Sequence, residues 1–180
     1  MKLKDIFKNI EIIEYKGDLE KEIKNISSNS KEIQENDLFF AIKGYTLDGT
    51  QFIPNAIENG ATAIAVDETC DLNSFDIPNE ITFIKINRIR YHLAIASANL
   101  YGHPSTKLKL IGVTGTKGKT TTTYMIKSIL EKHNFKVGLI GSIAIYIGDE
   151  KLEDTDRTTA ESYKIQKTLA QMVDENVEIA

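Results

Sequence analysis

The clearest chemical signal in the sequence is a glycine- and lysine-rich loop, LIGVTGTKGKTTTT, at residues 110–123. It lies between a predicted buried strand and a predicted amphipathic helix, the context that a phosphate-binding loop requires. Gly115 and Gly118 allow a tight turn whose backbone N–H groups point at phosphate oxygens, beside the positive end of the helix dipole. Lys119 would place its charge at the β- and γ-phosphates of a nucleotide, and the Thr120 hydroxyl would ligate Mg²⁺. The loop therefore predicts nucleotide binding and phosphoryl transfer.

The spacing of this loop differs from the strict phosphate-loop pattern. That pattern needs a glycine five positions before Gly118, where the chain has Val113. The alternative is a glycine-rich turn that only connects the strand to the helix. Packing does not explain Gly-Lys-Thr in this context, so phosphate binding is favoured. Two roles remain open for Lys117: it is either an exposed loop lysine or a lysine whose side chain contacts phosphate.

The elements that must position this loop follow an α/β pattern, with apolar runs predicting strands and spaced apolar residues predicting helices. The predicted strands span residues 23–28, 37–42, 61–66, 82–86, 108–113, 136–140 and 142–148. The predicted helices span residues 50–59, 88–101, 120–134 and 160–176, and residues 177–180 begin a further strand. Strand, helix and strand around the loop predict a parallel sheet. The sequence GHPS at 102–105 predicts a boundary between domains at 1–103 and 104–180, and residues 150–156 are predicted to be a solvated loop.

Composition excludes several classes of protein. The chain has 180 residues, a net charge of −4, 41% apolar and 27% charged residues, which is typical of a soluble globular protein and unlike a nucleic-acid binder. It has no apolar run long enough for a membrane span and no signal peptide, so a cytoplasmic location is predicted. Cys70, the one cysteine, is predicted to be inert, and the three histidines, His92, His103 and His133, to be structural or surface residues.

The combined motifs resemble the Mur ligase family, ATP-dependent enzymes that add amino acids to the peptidoglycan precursor. The loop at 115–121 fits this family, although alone it also admits folylpolyglutamate synthetase or cyanophycin synthetase. NSK at 29–31 and DLFFAIKG at 37–44 resemble the nucleotide-sugar domain of the MurE and MurF types. VGLIGS at 137–142 and RTTAES at 157–162 resemble the MurE type, whereas a MurF type would show a paired-asparagine motif.

The resemblance implies a fold and an activity. It implies a small nucleotide-sugar-binding α/β domain followed by the first part of a P-loop-type parallel-sheet ATPase domain. The implied reaction adds lysine or diaminopimelate to UDP-MurNAc-L-Ala-D-Glu through an acyl phosphate, with ATP and Mg²⁺. The implied partners are these small molecules, with no nucleic acid and no membrane. The alternatives are a MurF-type or other Mur-fold ligase, and a non-catalytic nucleotide-sugar-binding module.

The resemblance also implies the site residues. Those for ATP are Gly115, Thr116, Lys117, Gly118, Lys119, Thr120 and Thr121, with Lys119 and Thr120 catalytic and Thr120 on the metal. Those for the substrate are Ser30, Tyr45, Thr46, Leu47, Thr158 and Thr159. The family usually has Asp-Ser-Arg where this chain has Asn29-Ser30-Lys31, and proline where it has Ala160.

Each substrate residue also has a structural alternative. Thr158 and Glu161 match a helix capping box, which is compatible with ligand binding. Ser30 could be a turn residue between two strands, and Tyr45 could be an aromatic residue at a rim. The family has three domains, so we expect this chain to be an N-terminal fragment that is inactive on its own.

Overall fold

The computed structural model describes residues 1–44, 48–72, 75, 78–155 and 159–180. Their backbone contacts divide the chain into two compact units, Met1–Leu100 and Tyr101–Ala180. This division falls three residues before the sequence-predicted boundary at residue 103. Among the described residues, no helix has both the length and the apolar character needed to cross a membrane.

The first unit is built on a five-stranded sheet. Its strands are β1 (Ile12–Lys16), β2 (Ile26–Ser27), β3 (Asp37–Ala41), β4 (Ala61–Asp67) and β5 (Thr82–Ile86). They lie in the order β1-β5-β4-β3-β2. Strands β2 to β5 run parallel, and β1 pairs antiparallel with β5 at the edge. The carboxyl ends of four strands therefore meet at one edge of the sheet, where ligands commonly bind in α/β folds.

Helices cover both faces of this sheet. They are α1 (Leu3–Ile6), α2 (Ile53–Glu58) and α3 (Ile89–Leu100). Phe39 belongs to the apolar cluster that includes Ile53 and Ala56 of α2. Phe40 points to the opposite face and stacks on Phe7, just after α1, with ring centroids 6.2 Å apart. Because both faces are covered, every residue of β3 is buried, which confirms the strand predicted from its continuous apolar run.

The second unit combines two helices with an antiparallel sheet. Its elements are α4 (Lys119–Lys132), β6 (Gly138–Ile140), β7 (Ala144–Ile147), β8 (Glu150–Asp154) and α5 (Ser162–Asp174). The sheet has the order β6-β7-β8. Its core cluster combines β7, α5 and the chain on either side of them, through Leu108, Ile145, Ile147, Leu169, Met172 and Val177.

A small parallel arrangement surrounds α4 in this unit. Lys109 and Val137 each form a parallel bridge with Ile179. The backbone N–H of Ile111 donates to the Ala180 carbonyl oxygen at 2.9 Å, and that of Gly138 donates to the Ile179 carbonyl oxygen at 2.8 Å. The chain before α4 and the chain after it therefore run parallel to a shared segment between them. Of the strand predicted at 108–113, only this short paired part forms.

Two edge strands of the structure differ from the predicted elements. Residues 150–156 were expected to be a solvated loop, but β8 pairs antiparallel with β7. Its side chains are mostly exposed and charged, so no apolar pattern marks it. The edge strand β1, exposed over most of its length, escaped prediction for the same reason. Backbone hydrogen bonds hold both strands, and sequence patterns do not report those bonds.

Candidate functional site

The glycine-rich loop ends at the amino terminus of α4. Gly118 is the N-cap of this helix, and its φ of +79° lies in the left-handed region that favours glycine. No side chain caps the helix, and the Gly118 carbonyl oxygen accepts the N–H of Thr122 at 2.9 Å. By helix geometry, the N–H groups of residues 119–121 have no acceptor within α4. The helix therefore presents a row of N–H donors and the positive end of its dipole.

Lys119 folds back over the loop. Its Nζ donates to the Gly115 carbonyl oxygen at 2.7 Å, and the residue is half-buried. Thr120 is also half-buried in the first turn of the helix, whereas Thr116 and Lys117 are exposed. The loop thus brings one ammonium group and one hydroxyl-bearing residue next to the free helix amides.

Gly115 and Gly118 both border open space. A Cβ atom built at Gly118 would meet nothing within 4 Å, and one at Gly115 would meet only the Lys117 carbonyl oxygen at 3.6 Å. Among the described residues, no group of three or more His, Cys, Asp or Glu side chains could hold a metal ion. Mg²⁺ usually takes few protein ligands and completes its octahedron with water and phosphate oxygens. Thr120 fits such a site as a single hydroxyl ligand.

The apolar side of α4 is only partly packed. Ile126 and Leu130 line a narrow cleft with Val137 and Ile179 from the parallel segments. Met125, predicted to lie on the same apolar side, is 62% exposed, and Ile129 is 58% exposed. The helix that carries the loop is therefore supported along one side only within the described residues.

Ser30 lies in the first unit, just after the carboxyl end of β2. It is 7% exposed, and its carbonyl oxygen accepts the Nδ2 donor of Asn59 at 2.9 Å. Asn29, which stands where the family usually has aspartate, accepts the backbone N–H of Lys31 at 3.2 Å through Oδ1. An amide oxygen thus makes the turn-forming bond in place of a carboxylate. The predicted contact between Ser30 and a substrate stays a prediction.

Of the other predicted substrate residues, the structure describes only Thr159. Tyr45, Thr46, Leu47 and Thr158 lie outside the described residues. Thr159 is an exposed bend residue before α5. The N-cap of α5 is Glu161, with no side-chain cap bond, so the capping box with Thr158 as N-cap is wrong. The helix begins later than its sequence pattern suggested.

Sequence reasoning missed a cavity at the carboxyl ends of β3, β4 and β5. Its lining includes Lys43, Asp48, Cys70, Arg88 and Tyr91, which are scattered along the sequence. The Asp48 carboxyl accepts hydrogen bonds from Thr50, and these hold its pKa below the ordinary value. The backbone N–H has the larger effect and the hydroxyl the smaller one. Burial raises the pKa of the Cys70 thiol, in keeping with the inert thiol predicted from its acidic neighbours. No sequence motif marks this group because the strand order alone brings it together.

Comparison with known proteins follows the same division into two units. The model for the Mur ligase family catalytic domain matches residues 22–101, and the model for the Mur ligase middle domain matches residues 113–180. The chain is 51% identical over 178 residues to a UDP-N-acetylmuramoyl-L-alanyl-D-glutamate--2,6-diaminopimelate ligase of Clostridium tetani, covering 99% of this chain and 36% of that protein. The ligase of the same description from Clostridioides difficile is 40% identical over 174 residues, covering 97% of this chain and 34% of that protein.

Solved structures agree on the fold. A structure of a UDP-N-acetylmuramoyl-L-alanyl-D-glutamate--2,6-diaminopimelate ligase superposes with a TM-score of 0.73 at 20% identity, covering 100% of this chain and 35% of that one. MurF ligase from Thermotoga maritima in complex with ADP gives a TM-score of 0.51 at 28% identity, covering 81% of this chain and 29% of that one.

The fold is α/β with a parallel-rich sheet, and its second unit carries a glycine-rich loop at a helix amino terminus. The chain belongs to the Mur ligase family. It spans about a third of the length of the curated relatives that it matches.

Proposed function

We propose that this chain supplies the nucleotide-sugar-binding unit and the ATP-binding loop of a MurE-type Mur ligase. The reaction joins an amino acid to UDP-MurNAc-L-Ala-D-Glu at the expense of ATP. The observation that carries the proposal is the loop geometry, in which Lys119 folds onto Gly115 at the uncapped amino terminus of α4. The relatives quoted above are named as 2,6-diaminopimelate ligases, which supports diaminopimelate over lysine as the added amino acid.

The residues of the loop act on the transferring phosphoryl group. The N–H groups of residues 119–121 and the Lys119 ammonium bind the phosphate oxygens and stabilise the charge that develops on them. Gly115, Thr116, Lys117 and Gly118 wrap the phosphates through the loop backbone. Thr120 would hold Mg²⁺, which supplies Lewis-acid neutralisation of the phosphates when bound.

Two bond exchanges complete the proposed reaction. The γ-phosphoryl group moves from ATP to a carboxylate oxygen of the D-glutamyl residue, which gives an acyl phosphate and ADP. The amine of the incoming amino acid then attacks the acyl carbon, a C–N bond forms, and inorganic phosphate leaves as the nitrogen loses a proton. Positioning and charge neutralisation carry most of the catalysis in this kind of transfer.

The first unit is the proposed holder of the nucleotide sugar. Ser30 and the loop Tyr45–Leu47 follow β2 and β3, whose carboxyl ends lie side by side at one edge of the sheet. Thr158 and Thr159 are proposed to hold the muramoyl-peptide part. Because ATP and the soluble nucleotide sugar are both cytoplasmic metabolites, we place the reaction in the cytoplasm.

A pair of titrations tests this proposal. We expect calorimetry to show one site for Mg·ATP and one for UDP-MurNAc-L-Ala-D-Glu on the 180-residue chain. If the chain binds the nucleotide sugar but does not bind Mg·ATP, a non-catalytic module is favoured instead. If it binds Mg·ATP but does not bind this nucleotide sugar, another Mur-fold ligase is favoured.

An exchange experiment tests the activity. The matched segment of the Clostridium tetani relative would be replaced by this chain, since the two are 51% identical over 178 residues. We expect the chimera to form ADP with diaminopimelate but not with lysine, and a Lys119→Ala chimera to form none. A folded chimera that binds Mg·ATP but forms ADP with neither amino acid would contradict the proposal.

A further inference from the structure

One face of β7 packs against the helix that carries the glycine-rich loop. Ile145 and Ile147 of this strand belong to the core cluster that includes Leu169 and Met172 of α5. Side chains alternate between the two faces of a strand, so Tyr146 lies on the opposite face. There its ring contacts two residues of α4, which makes Tyr146 a link between the sheet and the loop-bearing helix.

The first contact of Tyr146 is with Tyr124. The two rings meet edge to face, with centroids 5.9 Å apart and ring planes at 79°, a geometry that aromatic pairs favour. Burial, and then a hydrogen bond with the Tyr146 side chain, raise the pKa of the Tyr124 hydroxyl. Both residues are half-buried, so water reaches the pair from part of its surface only. The contact therefore combines apolar packing with a directional bond.

The second contact of Tyr146 is with Lys127, one turn further along α4. The Lys127 Nζ lies 5.6 Å from the centroid of the Tyr146 ring, within the range of a cation–π interaction. The same Nζ donates to Glu131 Oε1 at 2.5 Å, four residues on. The Lys127 side chain is only 12% exposed, so its ammonium group lies between a ring and a carboxylate. Its position relative to β7 is therefore well defined.

The helix residues in these contacts share one side of α4 with Thr120. Tyr124, Lys127 and Glu131 follow Thr120 by four, seven and eleven residues. At about 3.6 residues per turn, these spacings return to the same side of an α-helix. Thr120 is the proposed Mg²⁺ ligand, one turn before Tyr124. Because Tyr146 contacts the middle of this row, it fixes the rotation of α4 about its axis and the direction in which Thr120 faces.

Apolar packing alone fixes the orientation of α4 only weakly. None of the residues of this helix, all of which the structure describes, is buried. Ile126 and Leu130 line a narrow cleft, and Met125 and Ile129 are mostly exposed. Most helices in proteins are stabilised by the tertiary packing of an apolar face. In α4 the contacts with Tyr146 supply a part of that stabilisation that apolar burial does not.

We propose that Tyr146 is a positioning residue for the ATP site, which holds α4 so that Thr120 and the free N–H groups of residues 119–121 face the bound nucleotide. The inference rests on the proposed function, because it assigns a further role in the same site. Tyr146 acts through Tyr124 and Lys127 and touches neither ATP nor the metal. Rotation of α4 would misdirect both the Thr120 hydroxyl and the amide donors, and phosphate and Mg²⁺ binding depend on the geometry of those groups.

Calorimetry of Mg·ATP binding to the 180-residue chain tests this role. Tyr146→Leu loses both ring contacts with α4, and we expect it to raise the Kd about fivefold or more. Tyr146→Phe keeps the ring and should restore the Kd to within about twofold of the parent value. Leu169→Ala is the matched control, since it removes a buried residue from the cluster on the other face of β7. It should lower the thermal midpoint and leave the Kd unchanged. A parent-like Kd in Tyr146→Leu, or an equal rise in Leu169→Ala, would overturn the proposal.

A double-mutant cycle shows whether Tyr146 acts through Thr120. Thr120→Val removes the proposed metal ligand, so the losses of Mg·ATP affinity in Tyr146→Leu and Thr120→Val should be less than additive. Titration of ATP in EDTA measures binding without the metal. We expect the advantage of Mg·ATP over metal-free ATP to shrink in both single variants. Additive losses, with that advantage intact in Tyr146→Leu, would show only a general loss of stability and would refute the positioning role.

Amide NMR without nucleotide tests the same link in a variant that keeps Tyr146. Lys127→Met retains a long side chain in the cleft and removes the cation above the Tyr146 ring. The amide signals of residues 119–121 should move in this variant. Lys132→Met, at an exposed lysine in the last turn of α4, should leave them in place. Signals that stay in place in Lys127→Met would contradict the proposal.

The parent chain separates failure of this inference from failure of the proposed function. A parent chain that does not bind Mg·ATP would contradict the proposed function, and the positioning role with it. A parent chain that binds Mg·ATP, with the same Kd in Tyr146→Leu, would contradict the positioning role alone.

Discussion

Lys119 and Gly115 are joined across the glycine-rich loop by a hydrogen bond of 2.7 Å from Nζ to the carbonyl oxygen. The bond draws the ammonium group back to the start of α4, where the helix has no side-chain cap. The charge and the free N–H groups therefore lie at the same end of α4. A phosphate bound at that end would replace the Gly115 carbonyl as the partner of Lys119.

Replacing Lys119 with alanine should weaken the binding of Mg·ATP by about tenfold to a hundredfold. A hydrogen bond to a charged group contributes about 1.5–3 kcal/mol, which corresponds to that range. Calorimetry on the folded variant measures the change. Lys132→Ala is the matched control, because it removes one exposed lysine from the last turn of the same helix, away from the glycine-rich loop. A Lys119→Ala variant with the parent affinity would refute the phosphate-binding role of the loop.

Replacing Gly118 with alanine should destabilise the second unit by about 1–2 kcal/mol. The added Cβ meets nothing within 4 Å, so the cost comes from the φ of +79° alone. Gly112→Ala also adds a Cβ in open space, but without a left-handed φ. It should therefore be neutral or slightly stabilising. Urea denaturation of both variants measures the difference, and equal effects would contradict the backbone explanation.

Replacing Gly49 with alanine should destabilise the first unit by about 3 kcal/mol. Its Cβ would lie 2.4 Å from the carbonyl oxygen and 2.6 Å from the nitrogen of Ile42, backbone atoms that cannot move independently. Gly141→Ala, whose Cβ would meet its nearest atom at 3.4 Å, should change stability by less than about 1 kcal/mol. Thermal unfolding of the two variants compares them. A tolerated Gly49→Ala would contradict the close approach of Gly49 to the Ile42 backbone.

The titration of Asp48 should depend on Thr50. The backbone N–H and then the hydroxyl of Thr50 lower the Asp48 pKa below its ordinary value of 3.8. Because the folded pKa is depressed, Asp48 stabilises the fold above about pH 4, and this contribution is lost as the pH falls through the lowered pKa. Thr50→Val removes only the hydroxyl, so the pKa should rise part of the way back.

Carboxyl-carbon NMR across an acid titration measures the Asp48 midpoint. Thr69→Val removes the equivalent hydroxyl beside Asp67 and should leave the Asp48 midpoint unchanged. An Asp48 midpoint that is the same in the parent chain and in Thr50→Val would show that the hydroxyl bond is not formed in solution.

Some helices and strands could be predicted from their side-chain pattern, and others could not. The strand at β5 was predicted with the same bounds that the structure has, and α3 within two residues. Both elements present side chains to a covered face. Because those positions must be apolar, the sequence shows a pattern from which the elements can be predicted. β1 and β8 lie at sheet edges with mostly exposed side chains. Backbone hydrogen bonds hold them in the sheets, and those bonds require no apolar pattern in the sequence.

The sequence by itself determined the glycine-rich loop, because a left-handed N-cap and a lysine at a helix start require particular residues at adjacent positions. It also determined the buried parallel strands, since covering both faces demands continuous apolar runs. Only the tertiary structure decided that Lys43, Cys70 and Arg88 line one cavity. They follow three different strands, and parallel pairing in the order β5-β4-β3 brings the ends of those strands together. Side-chain periodicity records which face of a strand is buried, but strand order is set by long-range pairing that no local pattern contains.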